Sequence, residues 1–358
     1  MALPYDIASP GYGSAGVPSR VLIVDDSVVA RSVIGRMIDS TVRFTVAGAV
    51  SDARAAMQFL NAHEVEIILL DIEMPGIDGL TALPDLLAAG KGAKVLIVSS
   101  SADDGAASSV QALALGAADT LVKPGVGAFG GRFADVLEEK LSRLIEGHAD
   151  TAPAPPPVRH TVAVADDFDI VAIGASTGGI HALSQLLRAI PASFQAPILV
   201  TQHLPPSFMS FFAAQLAVLG SRPCEVATDC MRIRPGRIIV APGDAHMRLV
   251  RMSEGTAIRL THEKVSSGCM PSVDPMFESL AEVYGSRALG IVLSGMGRDG
   301  CEGARFLIES GARIVVQDRE SSVVWGMPGA VANAGRASAV MPPDEIGRLV
   351  ASRRRPMA

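Results

Sequence analysis

Ser176 lies in Gly174-Ala175-Ser176-Thr177-Gly178, a G-x-S-x-G pattern between a β-branched run and the helical stretch Ile180–Ile190. Small residues there permit a sharp strand-to-helix turn that leaves a hydroxyl exposed above a sheet. A serine hydroxyl is a poor nucleophile near neutral pH. It needs a neutral imidazole to take its proton and a carboxylate to hold that imidazole in one tautomer. His203, in Thr201-Gln202-His203-Leu204-Pro205-Pro206, and Asp299, in Ser294-Gly295-Met296-Gly297-Arg298-Asp299-Gly300, supply those types, each just beyond an expected strand. Glycines around Met296 leave backbone N–H groups to meet a developing oxyanion. Plainer readings exist for each part. A Gly-rich turn is also a phosphate cradle, although the dinucleotide version would need glycine at Ser176. His203 could be a satisfied surface residue, and Asp299 could cap the helix that follows. His181, His246 and His262 are rival bases, but His181 falls inside a helical stretch and the others on an expected edge hairpin.

A second set is acidic. Asp25 and Asp26 end the first expected strand, Asp71 the third and Ser99 the fourth, while Lys123-Pro124 follows the fifth. In an open parallel sheet these ends share one crevice. Three converging carboxylates repel one another unless a hard cation is present, and Mg²⁺ held by Asp25, Asp26 and Asp71 with waters suits oxygen ligands. Lys123 and Ser99 would then contact the oxygens of a phosphoryl group accepted by Asp71. Each residue alone reads as a solvated strand end or a turn; the four strand ends together, in order, read as a phosphorylation site.

The elements that must position these residues follow from periodicity. Arg20–Asp25, Phe44–Val50, Glu66–Leu70, Lys94–Ser99 and Asp119–Val122 are expected strands separated by helical stretches. Ile170–Gly174, Ile198–Gln202, Arg237–Ala241, Ala288–Ser294 and Arg313–Val316 continue the pattern, and Met247–Thr261 reads as an antiparallel hairpin at a sheet edge. The fold class is α/β: two doubly wound parallel-sheet domains, the first five-stranded and the second larger, with an antiparallel edge hairpin. Residues 19–145 form the first domain and 168–355 the second. Between them, 146–167 is a linker containing Pro153-Ala154-Pro155-Pro156-Pro157, too poor in backbone donors for a helix or central strand.

The whole chain bounds the function. Its 358 residues, 49% of them apolar, suffice for two cores. A net charge of −6 gives no electrostatic footprint for nucleic acid, and Arg353-Arg354-Arg355 reads as a solvated chain end. Cys224, Cys230, Cys269 and Cys301 match no zinc or C-x-x-C spacing and read as reduced, buried thiols. The first 18 residues lack the signal-peptide pattern, and no apolar run reaches the roughly 20 residues of a membrane span, so a soluble cytoplasmic protein without membrane insertion is expected.

At this level of detail the chain resembles known families. Residues 20 to about 145 resemble the receiver domain of two-component response regulators, which implies Asp71 as phosphoacceptor, Asp25 and Asp26 as Mg²⁺ ligands, and Ser99 and Lys123 as switch residues. One position departs: Thr120 stands where receivers usually carry a switching aromatic. Residues 168 to 350 resemble the catalytic domain of chemotaxis protein-glutamate methylesterases, through G-A-S-T-G-G, Q-H-L-P-P, A-P-G-D-A-H-M, M-P-S-V-D and S-G-M-G-R-D-G. That resemblance implies hydrolysis of glutamyl methyl esters on cytoplasmic chemoreceptor helices, without a cofactor. It makes Ser176 the nucleophile, His203 the base and acid, Asp299 its orienter and Met296 the backbone oxyanion donor, with Thr177 beside the nucleophile. A chemotaxis histidine kinase is the implied phosphodonor, and deamidation of receptor glutamines a possible second activity. Leu204 and Arg298 stand where other members often carry Met and Asn. Two rivals stay open: a response regulator whose second domain only binds a partner, and an enzyme for a small ester or amide.

Overall fold

The computed structural model describes residues 17–100, 103–123, 131–146 and 168–353; residues 147–167 of the linker, residues 1–16, Pro124 and Arg354–Arg355 lie outside that set, while Glu146, expected in the linker, ends a helix. The first sheet and its helices run β1 (Ser19–Val24), α1 (Val28–Asp39), β2 (Phe44–Val50), α2 (Ala53–Ala62), β3 (Ile67–Leu70), α3 (Gly79–Ala89), β4 (Lys94–Ser100), α4 (Asp103–Leu115), β5 (Asp119–Lys123) and α5 (Gly131–Glu146). Strands buried on both faces read as unbroken apolar runs, and Ile67-Ile68-Leu69-Leu70 is wholly buried. Short polar residues start the helices: the side chains of Ser27, Asp52 and Asp78 accept the N–H groups of Ala30, Ala55 and Thr81. The parallel order is β2-β1-β3-β4-β5. Strand order therefore reverses between β1 and β3, and the crevice at their carboxyl ends lies between Asp25 and Asp71.

The second half runs β6 (Ile170–Ala175), α6 (Gly179–Arg188), β7 (Ile198–Gln202), a 3₁₀ turn (Pro206–Phe208), α7 (Met209–Gly220), β8 (Cys224–Val226), β9 (Ile238–Val240), β10 (His246–Met252) and β11 (Gly255–Thr261). It continues with α8 (Val273–Tyr284), β12 (Ala288–Val292), α9 (Cys301–Glu309), β13 (Arg313–Gln317), α10 (Met327–Asn333), β14 (Ala339–Met341) and α11 (Pro343–Ala351). Seven parallel strands are ordered β14-β13-β12-β6-β7-β9-β8. Strands β8 and β14 were not expected: at three residues each they carry too little alternation to register as a period. The antiparallel hairpin is present as β10 and β11, paired as its own two-stranded sheet. It packs on α8, where Leu249 N–H donates to Ser279 Oγ at 3.0 Å. Of the four free cysteines only Cys301 is buried; Cys230 is exposed and Cys224 and Cys269 are half-buried, which corrects the expectation of buried thiols.

The two halves pack on each other. Helix α4 lies against α6, α7 and the 3₁₀ turn. One apolar cluster runs from Ala106, Val110 and Leu113 into Ile180, Leu183 and Phe212. Each large apolar side chain so buried contributes about 1.5–3 kcal/mol relative to exposure. This packing sets the receiver-like half over the carboxyl ends of β6 and β7.

Candidate active site and acidic crevice

Strand order in the second sheet reverses between β12 and β6, and Ser176, His203 and Asp299 follow β6, β7 and β12. Ser176 sits on a turn held from three sides: its N–H donates to Ser294 O (3.0 Å), and its carbonyl accepts from Gly179 N (2.8 Å) and Gln202 Nε2 (2.9 Å). Two glycines make the turn possible. Gly178 has φ +76°, and a Cβ there would lie 2.5 Å from Val323 Cβ. A Cβ on Gly295 would lie 2.9 Å from Ser176 Cβ, so the Met296 loop approaches the hydroxyl only because residue 295 has no side chain.

His203 Nδ1 is 3.2 Å from Ser176 Oγ, and Nε2 is 2.8 Å from Asp299 Oδ2. The neutral tautomer that satisfies both contacts carries its proton on Nε2 and offers Nδ1 as acceptor, so the two nitrogens exchange the roles they play in the trypsin-like triad. Asp299 does not cap α9, whose N-cap is Gly300 without a side-chain bond. Its carboxylate instead accepts Ser272 Oγ–H (2.5 Å) and Val273 N–H (2.8 Å) at the N-terminus of α8. That helix end favours negative charge. Burial pushes the Asp299 carboxyl up, but His203, Ser272 and Val273 outweigh it and hold it below the usual carboxylate range. Burial likewise favours neutral His203, yet Asp299 and the neighbouring Cys269 hold the ring up at about 9. Asp274, also buried, is pushed up to about 7 by burial and by Asp299 against the Gly303 N–H that it accepts at 2.7 Å.

Two of the rival histidines, His246 and His181, are committed elsewhere. His246 is fully buried; its Nε2 meets Glu263 O (2.9 Å), and its Nδ1 accepts Ser272 N–H (3.0 Å). It supports the chain segment that presents Ser272. His262 is exposed. His181 Nδ1 donates across to Ala114 O of α4 (3.2 Å), while Nε2 meets Gln185 Nε2 (2.9 Å). Thr177 also turns to the first half, its Oγ1 lying 3.4 Å from Asp119 Oδ2, and Gly178 N–H donates to Ala118 O (2.9 Å). A cavity of about 160 Å³ remains between the halves, lined by Ser176, Gln202 and His203 on one side and Leu113, Asp119 and Lys140 on the other. Beside it, Thr120 helps line a larger space of about 470 Å³ that reaches Leu204, Pro205 and Phe208.

Sequence reasoning gave no role to Ser272 or Asp274, although both lie in the M-P-S-V-D stretch, and it missed Cys269 as a neighbour of His203 and the cross-domain role of His181. Ser272 had a readable signal, a capping residue just before an apolar-periodic run. The other three act through partners far away in the chain, and no local pattern encodes such pairs.

At the acidic crevice, Asp25, Asp71 and Ser99 are buried and Asp26 is exposed. Lys123 Nζ bridges Asp25 Oδ2 (2.8 Å) and Asp71 Oδ2 (2.6 Å). Burial raises the Asp71 carboxyl, only partly offset by Lys123. Burial also opposes the Lys123 charge, but Asp25 and Asp71 outweigh it and raise that group. Oxygens of Asp25, Asp26 and Asp71 lie within 4.8 Å of one another. One lysine against three carboxylates leaves net negative charge among oxygen ligands, so the donor set fits a hard divalent cation. Ser99 Oγ is 3.2 Å from Ser109 Oγ of α4, linking the crevice to the helix that packs on the second half.

Comparison with known proteins matches both halves. The family model described as "CheB methylesterase" covers residues 171–350, and the "Response regulator receiver domain" covers 21–127. A protein-glutamate methylesterase/protein-glutamine glutaminase of Caulobacter vibrioides is 42% identical, over 95% of this chain and 100% of its own. Another, from Rhodospirillum rubrum, is 37% identical over 94% of this chain and 95% of its own. The crystal structure of the Thermotoga maritima CheB methylesterase catalytic domain is 34% identical, covers 51% of this chain and 97% of that one, and superposes with a TM-score of 0.50. The chain therefore belongs to the CheB methylesterase family of hydrolases, in the form that carries an N-terminal response-regulator receiver domain.

Proposed function

We propose that this hydrolase removes methyl groups from glutamate side chains on the cytoplasmic helices of chemoreceptors, under control of phosphorylation at Asp71. The observation that carries the reading is the continuous line Ser176 Oγ, His203, Asp299, with Asp299 fixed in turn by Ser272 and Val273. In this reading neutral His203 accepts the Ser176 proton at Nδ1 as Oγ attacks the ester carbonyl. The oxyanion forms at the Met296 backbone N–H, beside Thr177. His203 then returns the proton to the departing methoxide, releasing methanol and leaving an acyl-serine. Water, deprotonated by the same nitrogen, hydrolyses it to glutamate. A glutamine amide follows the same path with ammonia as leaving group, in keeping with the double name of the relatives. No step requires a cofactor. The partner-binding alternative has no use for a polarised serine, and the open surroundings of a receptor helix suit a shallow groove.

Asp71 would take the phosphoryl group from a chemotaxis histidine kinase, its crevice holding Mg²⁺ through Asp25, Asp26 and Asp71. That ion supplies charge neutralisation when bound; Lys123 and Ser99 contact the phosphoryl oxygens. Control runs through docking. A helix with its side chains is about 10–12 Å across, which a 160 Å³ cavity does not admit. The arrangement described is thus a closed state, and phosphorylation favours an open one through differential affinity of the receiver surface. Among the described residues no helix is long and apolar enough to cross a membrane; the enzyme would work from the cytoplasm on the receptor's cytoplasmic region. Methylated receptor membranes should release methanol with the wild-type chain and not with Ser176→Ala, and undiminished release by that variant would sink the assignment.

A further inference from the structure

The loop between β11 and α8 turns at Gly268, φ +69°, and brings Cys269 beside His203 and Asp299. The thiol lies 3.8 Å from Ser267 O and is half-buried. One ligand atom each from His203, Cys269 and Asp299 lies within 4.8 Å of the others. Tetrahedral coordination at about 2.0–2.3 Å per ligand sets donors roughly 3.5 Å apart; His203 Nε2 and Asp299 Oδ2, now 2.8 Å apart, would part by less than an ångström to admit the ion, and no donor has more than about an ångström to close. A side chain on a turn can move that far. The set differs from the acidic crevice in chemical character: nitrogen, sulfur and oxygen here, carboxylate oxygens alone there. Thiolate and imidazole select zinc-like ions over magnesium.

We propose that His203, Cys269 and Asp299 form an inhibitory binding site for a borderline-soft divalent cation of the zinc type. Binding releases the thiol proton to solvent and forms bonds to sulfur, to one imidazole nitrogen and to a carboxylate oxygen, with water completing the shell. The inhibitory part rests on His203 being the base. Nε2 is the nitrogen that faces Asp299, so it is the ligand: the ion replaces the hydrogen bond to Asp299 and leaves the ring proton on Nδ1, the nitrogen that would have to accept the Ser176 proton. Turnover therefore stops while the fold stays intact. The same chain would then be activated through a site that takes Mg²⁺ and silenced through one that rejects it.

The test uses the full-length chain, stripped with a chelator and assayed for methanol release at buffered free Zn²⁺, each variant referred to its own metal-free rate. Zn²⁺ should inhibit and Mg²⁺ at the same concentration should not. Cys269→Ser should raise the half-inhibitory Zn²⁺ concentration by at least about tenfold, the scale on which metal affinity responds to its shells; Cys269→Ala, which removes the donor entirely, should do the same. Independently of turnover, Co²⁺ should give a thiolate charge-transfer absorption that both variants lose. Equal Zn²⁺ sensitivity in wild type and both variants would overturn the proposal, as would absence of the absorption. Absorption without inhibition would overturn the inhibitory claim together with the role of His203 as base, and is distinguishable because the metal still binds.

Discussion

Replacing His181 with Ala should raise the basal activity of the unphosphorylated enzyme. His181 is not part of the proposed chemistry: its Nδ1–H donates to Ala114 O at the end of α4, and its ring packs where a Cβ on Gly116 would lie 3.6 Å away. The substitution leaves Ser176, His203 and Asp299 untouched and removes one polar contact across the docked face, where Gly178 to Ala118 and Thr177 to Asp119 also bridge the halves. A single intramolecular hydrogen bond contributes about 0.5–1.5 kcal/mol net, so, while the closed state dominates, the open fraction and with it the basal rate should rise by roughly 2- to 12-fold. The comparison is initial methanol release from methylated receptor membranes, made in an Asp71→Asn background that lacks the proposed phosphoacceptor. On the proposed control, the gain should shrink in the phosphorylated wild-type background as the closed state is depleted. A basal rate equal to or below that of the parent would show that docking of α4 on α6 does not limit access, and the occlusion argument would fail.

Asp299→Asn preserves shape but presents an amide to three donors and favours the wrong imidazole tautomer, so kcat should drop by roughly 10³- to 10⁴-fold; near-full turnover at saturating receptor would make Asp299 a structural anchor only. Acetyl phosphate with Mg²⁺ should add one phosphoryl group to the wild-type chain and none to Asp71→Asn, read by intact mass; a persisting adduct would move the acceptor. Because His203 is held at about 9, kcat/KM should climb with pH from neutrality toward that value as the imidazolium becomes the base, and a flat profile would contradict the pairing. For stability the sign is opposite: in the folded chain the group lies above its ordinary value of 6.5, so the contribution of the pair is complete below 6.5 and lost as pH rises through about 9. Urea midpoints of wild type and His203→Gln should accordingly converge at alkaline pH.

The strand-end residues were legible because parallel sheets impose a simple rule. Buried strands read as continuous apolar runs, and whatever polar residue follows each run must emerge at the carboxyl edge. Asp25, Asp71, Lys123, Ser176, His203 and Asp299 all obey it, and their chemical types narrow what the edges can do. Short strands such as β8 and β14 escaped because three residues contain no period.

Local patterning repeated along the chain was therefore enough to place the two α/β sheets, the strand-end groups and the family they imply. Which groups complete the site, and what covers it, depended on how the layers pack. Ser272 and Asp274 reach Asp299 from the start of another helix, Cys269 reaches His203 from a loop 66 positions later in the numbering, and Ala114, Ala118 and Asp119 reach the Ser176 turn from the other half of the chain. Contacts of that kind are set by how separately folded layers pack, and packing depends on shape and burial across the whole molecule rather than on any periodicity within a segment.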